Sequence, residues 1–484
     1  MNAAVDQPTR GRKLVILASC CLSLLIVTMD MTIVNVAIPS IRAEFGATGP
    51  QLQWVIDIYT LVLASLLLLA GAAGDRWGRR SVFQTGLVVF AAGSLLCSVA
   101  PSIGMLIAAR FVQAIGGSML NPVAMSIITQ VFTDRVERAR AIGVWGAVVG
   151  ISMSLGPIIG GALIQYVGWR SVFWVNLPIC ALAVVLTALF VPQSRSQYAR
   201  SFDPLGQLLG MATLFGLVFV LIEAPTKGWT DPAMLTTIAL AATAFVVFLR
   251  HESRRDDPFI DLRFFRSIPF ASATAIAVCA FAAYGAFLFM MSLYLQGYRG
   301  YSAMHTGLLY LPLAIGALVF SPLSGRLVGR YGSRPSLVSA GVLLTAATIL
   351  MSLMGADTPV WQLIVTFAIF GIGFSMVNAP VTTTAVSGMP LDRAGAASAV
   401  ASTSRQVGVS LGVALCGSMA ASAIATPDSS FVADARPLWI VCAALGLLVL
   451  GLGLYSTTPR ALRSAERLAP LIGHPGRDHA DVHA

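Results

Sequence analysis

The feature that most constrains this chain is an apolar run of about twenty residues that recurs from one end to the other. A helix rises about 1.5 Å per residue, so each run is long enough to cross the hydrocarbon core of a bilayer. The runs predict fourteen spans, at 14–38, 52–73, 81–100, 103–126, 139–164, 171–191, 205–224, 234–250, 270–295, 305–325, 336–354, 361–384, 397–422 and 437–456. Only 11% of the 484 residues are charged. A soluble domain carries roughly 25%, so this inventory cannot cover a water-exposed surface. The reading is an all-α membrane protein. The first run is too long for the core of a signal peptide, and Met29-Asp30-Met31-Thr32 is no small-residue cleavage site, so it is expected to stay as the first span.

The net charge of +10 does not point to nucleic acid. Such sites cluster basic residues on one soluble face, whereas here they sit in short turns between the apolar runs. Twenty-four of the 31 basic residues fall in loops on the side of the termini, Arg76, Arg79, Arg80, Arg326, Arg330 and Arg334 among them. The positive-inside rule therefore places both termini in the cytoplasm. The seven cysteines lie inside apolar segments without metal-ligand spacing and read as packing residues. No metal site or cofactor is expected, and His474, His479 and His483 are scattered along a polar tail.

The chain repeats itself. Gly71 to Arg80 matches Gly325 to Arg334, Ile115 to Asn121 matches Ile372 to Asn378, and Asp134-Arg135 matches Asp392-Arg393, at offsets of 254–258. The repeat predicts a six-helix bundle over 1–191, a linker with inserted helices 7 and 8 over 192–269, a second six-helix bundle over 270–459 and a disordered tail over 460–484. Two such halves around a site at mid-depth can rock and expose that site alternately, which is a transporter plan.

Charges inside the bilayer are costly and mark function by default. Asp30 in span 1, Asp57 in span 2 and Arg110 in span 4 fall at similar depths, roughly 8–12 Å from one membrane face. An arginine favours the charged form of a nearby carboxylate and burial disfavours it; a carboxylate poised between the two can take up and release a proton. A cationic substrate beside it would favour release, which is the simplest coupling for antiport. The bland alternative is a static ion pair that sets helix packing. Glu223 is expected to reach the interface, and Arg405-Gln406 serves either a cavity or packing.

In the turn after span 2, Gly78 suits a positive φ. Asp75 can cap the next helix or pair with an arginine across the two halves as a gate, beside Gly71, Arg76, Arg79 and Arg80. Span 5 holds Gly150, Gly156, Pro157, Gly160 and Gly161, small residues that let helices approach closely and a proline that kinks the segment. Gly408-Val-Ser410-Leu-Gly412 matches a hydrolase nucleophile elbow in form only, because no strand precedes it. Candidate cavity residues, chosen for aromatic or methionine adaptability and polar tips, are Asn35, Trp54, Tyr59, Met290, Tyr294, Phe374 and Asn378.

Together these stretches resemble the major facilitator superfamily, and within it the fourteen-helix drug:proton antiporter-2 family. Gly71 through Arg80 looks like the loop 2–3 signature, and Leu106 through Gly116 like the helix 4 signature, with Ala114 where glycine is usual. Gly150 through Gly161 looks like the antiporter signature of helix 5, and Asp30 through Pro39 like the helix 1 signature of the fourteen-helix branch. Trp54-Val-Ile-Asp57-Ile-Tyr59 is similar to the subset exporting quaternary ammonium compounds. Gly329 stands where the first half has Asp75, and no acid lies in span 10, where Ala317 is midway.

The resemblance implies the major facilitator fold. It also implies proton-driven efflux of lipophilic, cationic drugs, dyes or antiseptics by a monomer in a bacterial inner membrane, with the proton gradient as energy source. Asp30, Asp57 and Arg110 would then serve proton coupling and substrate charge. An exporter of one endogenous metabolite or lipid is the alternative. A membrane sensor or scaffold that moves nothing is a second.

Overall fold

The computed structural model describes residues 9–195, 203–255, 260–387, 389, 391–425 and 430–472. These are helical, with no strand among them. The helices are α1 (Arg10–Phe45), α2 (Gly49–Trp77), α3 (Arg79–Ser98), α4 (Ile103–Val131), α5 (Arg135–Tyr166), α6 (Ser171–Trp174), α7 (Asn176–Phe190), α8 (Pro204–Lys227), α9 (Pro232–Arg254) and α10 (Ile268–Ser292). They continue as α11 (Ala303–Leu309), α12 (Leu311–Tyr331), α13 (Ser333–Ser352), α14 (Val360–Ser375), α15 (Asn378–Val386), α16 (Leu391–Met419), α17 (Ala421–Ala425), α18 (Phe431–Ser456) and α19 (Pro459–Ile472).

Local chemistry sets the ends. Asp134 caps α5 by accepting the Val136 and Glu137 N–H groups at 3.0 and 2.8 Å. Asp203 and Asp231 cap α8 and α9, each followed by a proline in the first turn. Gly46 ends α1 in the left-handed region at φ 61°. Burial works against the charge on Asp203, but the Gly206 N–H, the His251 ring and Arg255 outweigh it and hold the carboxyl below its ordinary range. A carboxyl shifted down stabilises the fold above its unfolded value of about 3.9 and stops doing so as pH falls below it. Asp203→Ala should therefore lower the melting temperature at neutral pH, with the gap to wild type narrowing on acidification.

Twelve helical segments among the described residues are long and apolar enough to cross a membrane. The sequence predicts fourteen spans, and α5 and α16 stand at the other two positions, each with some side chains outside the described set. The break between α6 and α7, the π-helical stretch Leu293–Tyr298 after α10 and the break between α14 and α15 interrupt spans that the periodicity reads as continuous.

Helix partners repeat between the halves. In the first, α1 packs on α5, and α3 packs on α4 and α7. In the second, α10 packs on α16, and α13 packs on α14 and α18. The seam between them is built in matching fashion, α2 against α16 and α5 against α11 and α12. The inserted α8 and α9 pair with each other, and α8 lies against both α2 and α16.

One expectation is corrected. The tail predicted to be disordered from 460 begins as α19, because Ala461, Ala465 and Leu468 form a buried stripe at helical spacing. Ser464 Oγ accepts the free Ile268 N–H at the start of α10 at 2.9 Å. Residues 473–484, with His474, His479 and His483, lie outside the described residues.

Candidate functional site

Four helices of the first half bring a polar cluster together in an apolar bundle. Arg110 of α4 donates from Nη1 to Asp30 Oδ2 of α1, and the two side chains are 1% and 0% exposed. Gln113, one turn after Arg110 and so on the same face, donates to Asp30 Oδ1 at 2.9 Å and accepts from Arg110 at 2.7 Å. Asn176, the first residue of α7, reaches the same Oδ1 at 3.2 Å. Ser94 of α3 accepts from Gln113 and Asn176 at 2.8 and 3.3 Å. Arg110 Nε donates to the Val55 carbonyl at 3.1 Å, and its guanidinium lies 4.1 Å from the Tyr59 ring centroid. The network places a charge pair in low dielectric with its hydrogen-bonding capacity largely met, the condition under which such a pair persists.

Asp57 does not join it. Its side chain is fully buried on the opposite face of α2, toward Ser410 of α16 in the second half, and neither carboxylate oxygen closes a full hydrogen bond among the described residues. The hydroxyls of Ser410 and Thr60 are the polar groups that act on the carboxylate, in geometry short of a full hydrogen bond. Thr60 Oγ1 donates instead to the Asp57 carbonyl at 3.2 Å, and Ser410 Oγ is itself unpartnered. One turn earlier, Gln53 donates across the seam to the Val413 carbonyl.

The glycines of α5 divide between two neighbours. A Cβ on Gly160 would stand 2.7 Å from Ile33 of α1, and one on Gly156 would run into Thr32. A Cβ on Gly161 would come within 2.5 Å of the Ala303 carbonyl of α11, and Gly307 meets the Pro157 carbonyl at the same distance. Gly156 and Gly160 therefore hold α5 on α1, while Pro157 and Gly161 seat it against the other half. Gly150 lies on α5 with its surroundings outside the described residues. Overpacking costs about 1–3 kcal/mol. Gly161→Val should thus shift the balance between closed and open seams by about one to two orders of magnitude. Cysteine accessibility at this end of the seam, with Gly143→Val as a control in open space, checks it.

The loop after α2 behaves differently from its expected gate. Gly78 adopts φ 107°, as the turn requires. Asp75 neither caps α3 nor crosses to the other half: it accepts from Arg79 at 2.9 Å, and Arg79 goes on to Gln130 at 3.0 Å. Arg80 donates to the Ala188 carbonyl at 2.6 Å, Arg76 is exposed, and a Cβ on Gly71 would meet Pro122 only at ordinary contact distance. All these partners belong to the first half. The close approaches across the seam, Gln53 to Val413, Gln296 to Val36 at 3.0 Å and Gly161 to Ala303, lie at mid-depth or toward the end remote from Arg10.

A small cavity of about 10 Å³, room for about one water, lies at mid-depth between the halves, lined by Thr28, Met31 and Asn35 of α1 and by Tyr284, Leu288 and Val409 of the second half. Asn35 donates to the Met31 carbonyl at 2.9 Å and keeps its Oδ1 unpartnered. Phe374 stacks on Tyr284 at 4.2 Å and 6°, forming a wall behind that cavity. The other candidates lie apart from it. Trp54 turns to the insert, where Nε1 donates to Glu223 at 3.1 Å, and Glu223 also pairs with Lys227. Tyr59 belongs to the Arg110 cluster, Tyr294 donates to the Gly355 carbonyl, Met290 is wholly buried, and Asn378 opens α15. Sequence reasoning assigned no role to Ser94, Asn176, Tyr284 or Ser410. Only Gln113, three residues after a membrane arginine, carried a usable signal.

Duplicated helical halves, a cavity on their seam and buried charges at its depth define a multi-pass membrane protein of transporter architecture. The chain belongs to the Major Facilitator Superfamily, whose family model it matches over residues 20–413. It is 36% identical over 411 residues to a multidrug resistance protein of Mycobacterium tuberculosis, covering 85% of this chain and 76% of that one. It is also 36% identical to the tetracenomycin C resistance and export protein of Streptomyces glaucescens, covering 86% and 77%. The methylenomycin A resistance protein of Streptomyces coelicolor is 34% identical, covering 81% and 82%.

Proposed function

We propose that this chain exports lipophilic, cationic drugs, dyes or antiseptics from the cytoplasm in exchange for protons, by alternating access. The observation that carries the reading is Asp57, a buried carboxylate on the seam that has no ion-pair partner among the described residues and only two hydroxyls acting on it. A charge left unmet there is expensive, whereas a protonated acid or one facing a cation is not. Drug export draws support from relatives named for antibiotic resistance and export. Asp30 and Arg110 form the companion couple. Its several neutral donors let Asp30 keep partners while the guanidinium shifts during rocking.

The protein works as a monomer in the bacterial inner membrane, with both termini cytoplasmic and the proton gradient as its energy source, so no cofactor is called for. In this arrangement the seam is closed toward the outside. The test is purified protein in liposomes loaded with ethidium, with a pH gradient imposed in either direction. Ethidium movement that reverses with the gradient is expected. Ethidium movement indifferent to the gradient would sink antiport, and no movement of ethidium or of any dye in a panel would favour a narrow metabolite.

A further inference from the structure

Arg405, on the second-half helix α16, is the membrane-depth charge that the proton-exchange reading leaves unused. We infer that it is the docking point for an anionic group on the cargo, so that the preferred substrates are dipolar rather than simple cations. The inference rests on the export reading above and narrows its substrate class.

Arg405 Nη1 donates to Thr382 Oγ1 of α15 at 3.2 Å and Nη2 to Ser402 Oγ at 2.8 Å. Both acceptors are neutral, and among the described residues no carboxylate pairs with it. Arg110, the other arginine at membrane depth, has Asp30. A guanidinium in the bilayer without a counter-charge is costly and marks a substrate or ion path. It has five N–H donors in a fork shaped for a carboxylate, and most remain to be engaged.

Spacing along α16 shows which way Arg405 looks: Val409 and Val413, one and two turns further on, line the cavity between the halves. On the adjoining face, Gln406 Nε2 lies 3.8 Å from the Sδ of Met31, a residue that lines the same cavity, and its Oε1 is buried with no partner among the described residues. Thr382 sits one turn after Asn378 on α15. Asp57 faces α16 at Ser410, about 7.5 Å further along its axis. Among the described residues the seam accordingly holds one acid and one base without an ion-pair partner, at different depths. A cargo with a cationic end toward Asp57 and a carboxylate toward Arg405 satisfies both; a bare cation satisfies one.

The experiment compares ethidium, norfloxacin (a carboxylate-bearing zwitterion) and norfloxacin ethyl ester in proteoliposomes under an imposed pH gradient. Arg405→Gln and Arg405→Lys are set beside wild type, each first checked for monodisperse elution. Charge-assisted hydrogen bonds of this type are worth about a tenfold to hundredfold change in affinity. Arg405→Gln should therefore raise the KM for norfloxacin by about that factor and leave ethidium and the ester within about twofold, with Arg405→Lys between. Equal losses on all three probes would overturn the inference in favour of a packing or coupling role. No change on any, or wild type moving the ester better than the acid, would also overturn it. Wild type moving none of the three would instead strike the export reading itself.

Discussion

Arg110→Ala is expected to cost about 3–5 kcal/mol of stability, among the largest losses any single substitution in this chain should produce. The reason is the company it leaves behind. Asp30 is fully buried, and without the guanidinium only the amides of Gln113 and Asn176 face its oxygens. Two neutral donors do not compensate a carboxylate in low dielectric. Asp30→Asn should be milder, since Arg110 keeps the Gln113 and Val55 oxygens and the face of Tyr59. The double variant Asp30→Asn/Arg110→Gln removes both charges while leaving groups that can hydrogen-bond, and should regain most of the lost stability. Thermal melts in detergent measure the cycle, and its coupling term isolates the pair. Function should not follow stability. The double variant is expected to fold and yet to lose proton-driven efflux by tenfold or more (about 1.4 kcal/mol per decade). Full transport by that variant would reduce the pair to a packing device.

Much of this was legible before any coordinates. Apolar runs announce spans because the bilayer allows the backbone no partner but itself, and the repeat announces an expectation of paired halves. The depth of Asp30 and Arg110 followed from counting residues. Their convergence on Gln113 depends on which way each helix is rotated, and an all-round apolar helix hides that. Asp57 shows the limit well: depth grouped it with the pair, while rotation of α2 turned it to the seam. Trp54 was misplaced because nothing in the sequence says where an inserted helix docks, and α8 covers that part of α2. The same loss of direction applies to Asp75, whose loop arginine outcompeted any partner in the other half. At α19 the error had another source. Alternating alanine and arginine read as polar tail, although Ala461, Ala465 and Leu468 mark a narrow buried face.

Asp57→Asn separates the two things a buried acid can do. A carboxylate that stabilises a fold has partners, and its removal costs the energy of an unmet donor on the other side. Asp57 has little to orphan: among the described residues neither oxygen closes a full hydrogen bond, and only the Ser410 and Thr60 hydroxyls act on it. The asparagine is nearly isosteric and carries an N–H₂ that Ser410 can accept. Its melting temperature should therefore equal or exceed that of wild type, as happens when a poorly compensated buried charge is replaced. Transport should move the other way. With no titrating group on the seam, a pH gradient should no longer drive ethidium uphill, while downhill exchange of ethidium across the membrane survives. Loss of gradient-driven accumulation with an unchanged or raised melting temperature is the expected pair of results. A lowered melting temperature would assign Asp57 to packing, and undiminished accumulation would remove it from the proton path and leave Asp30 as the acid on which coupling must rest.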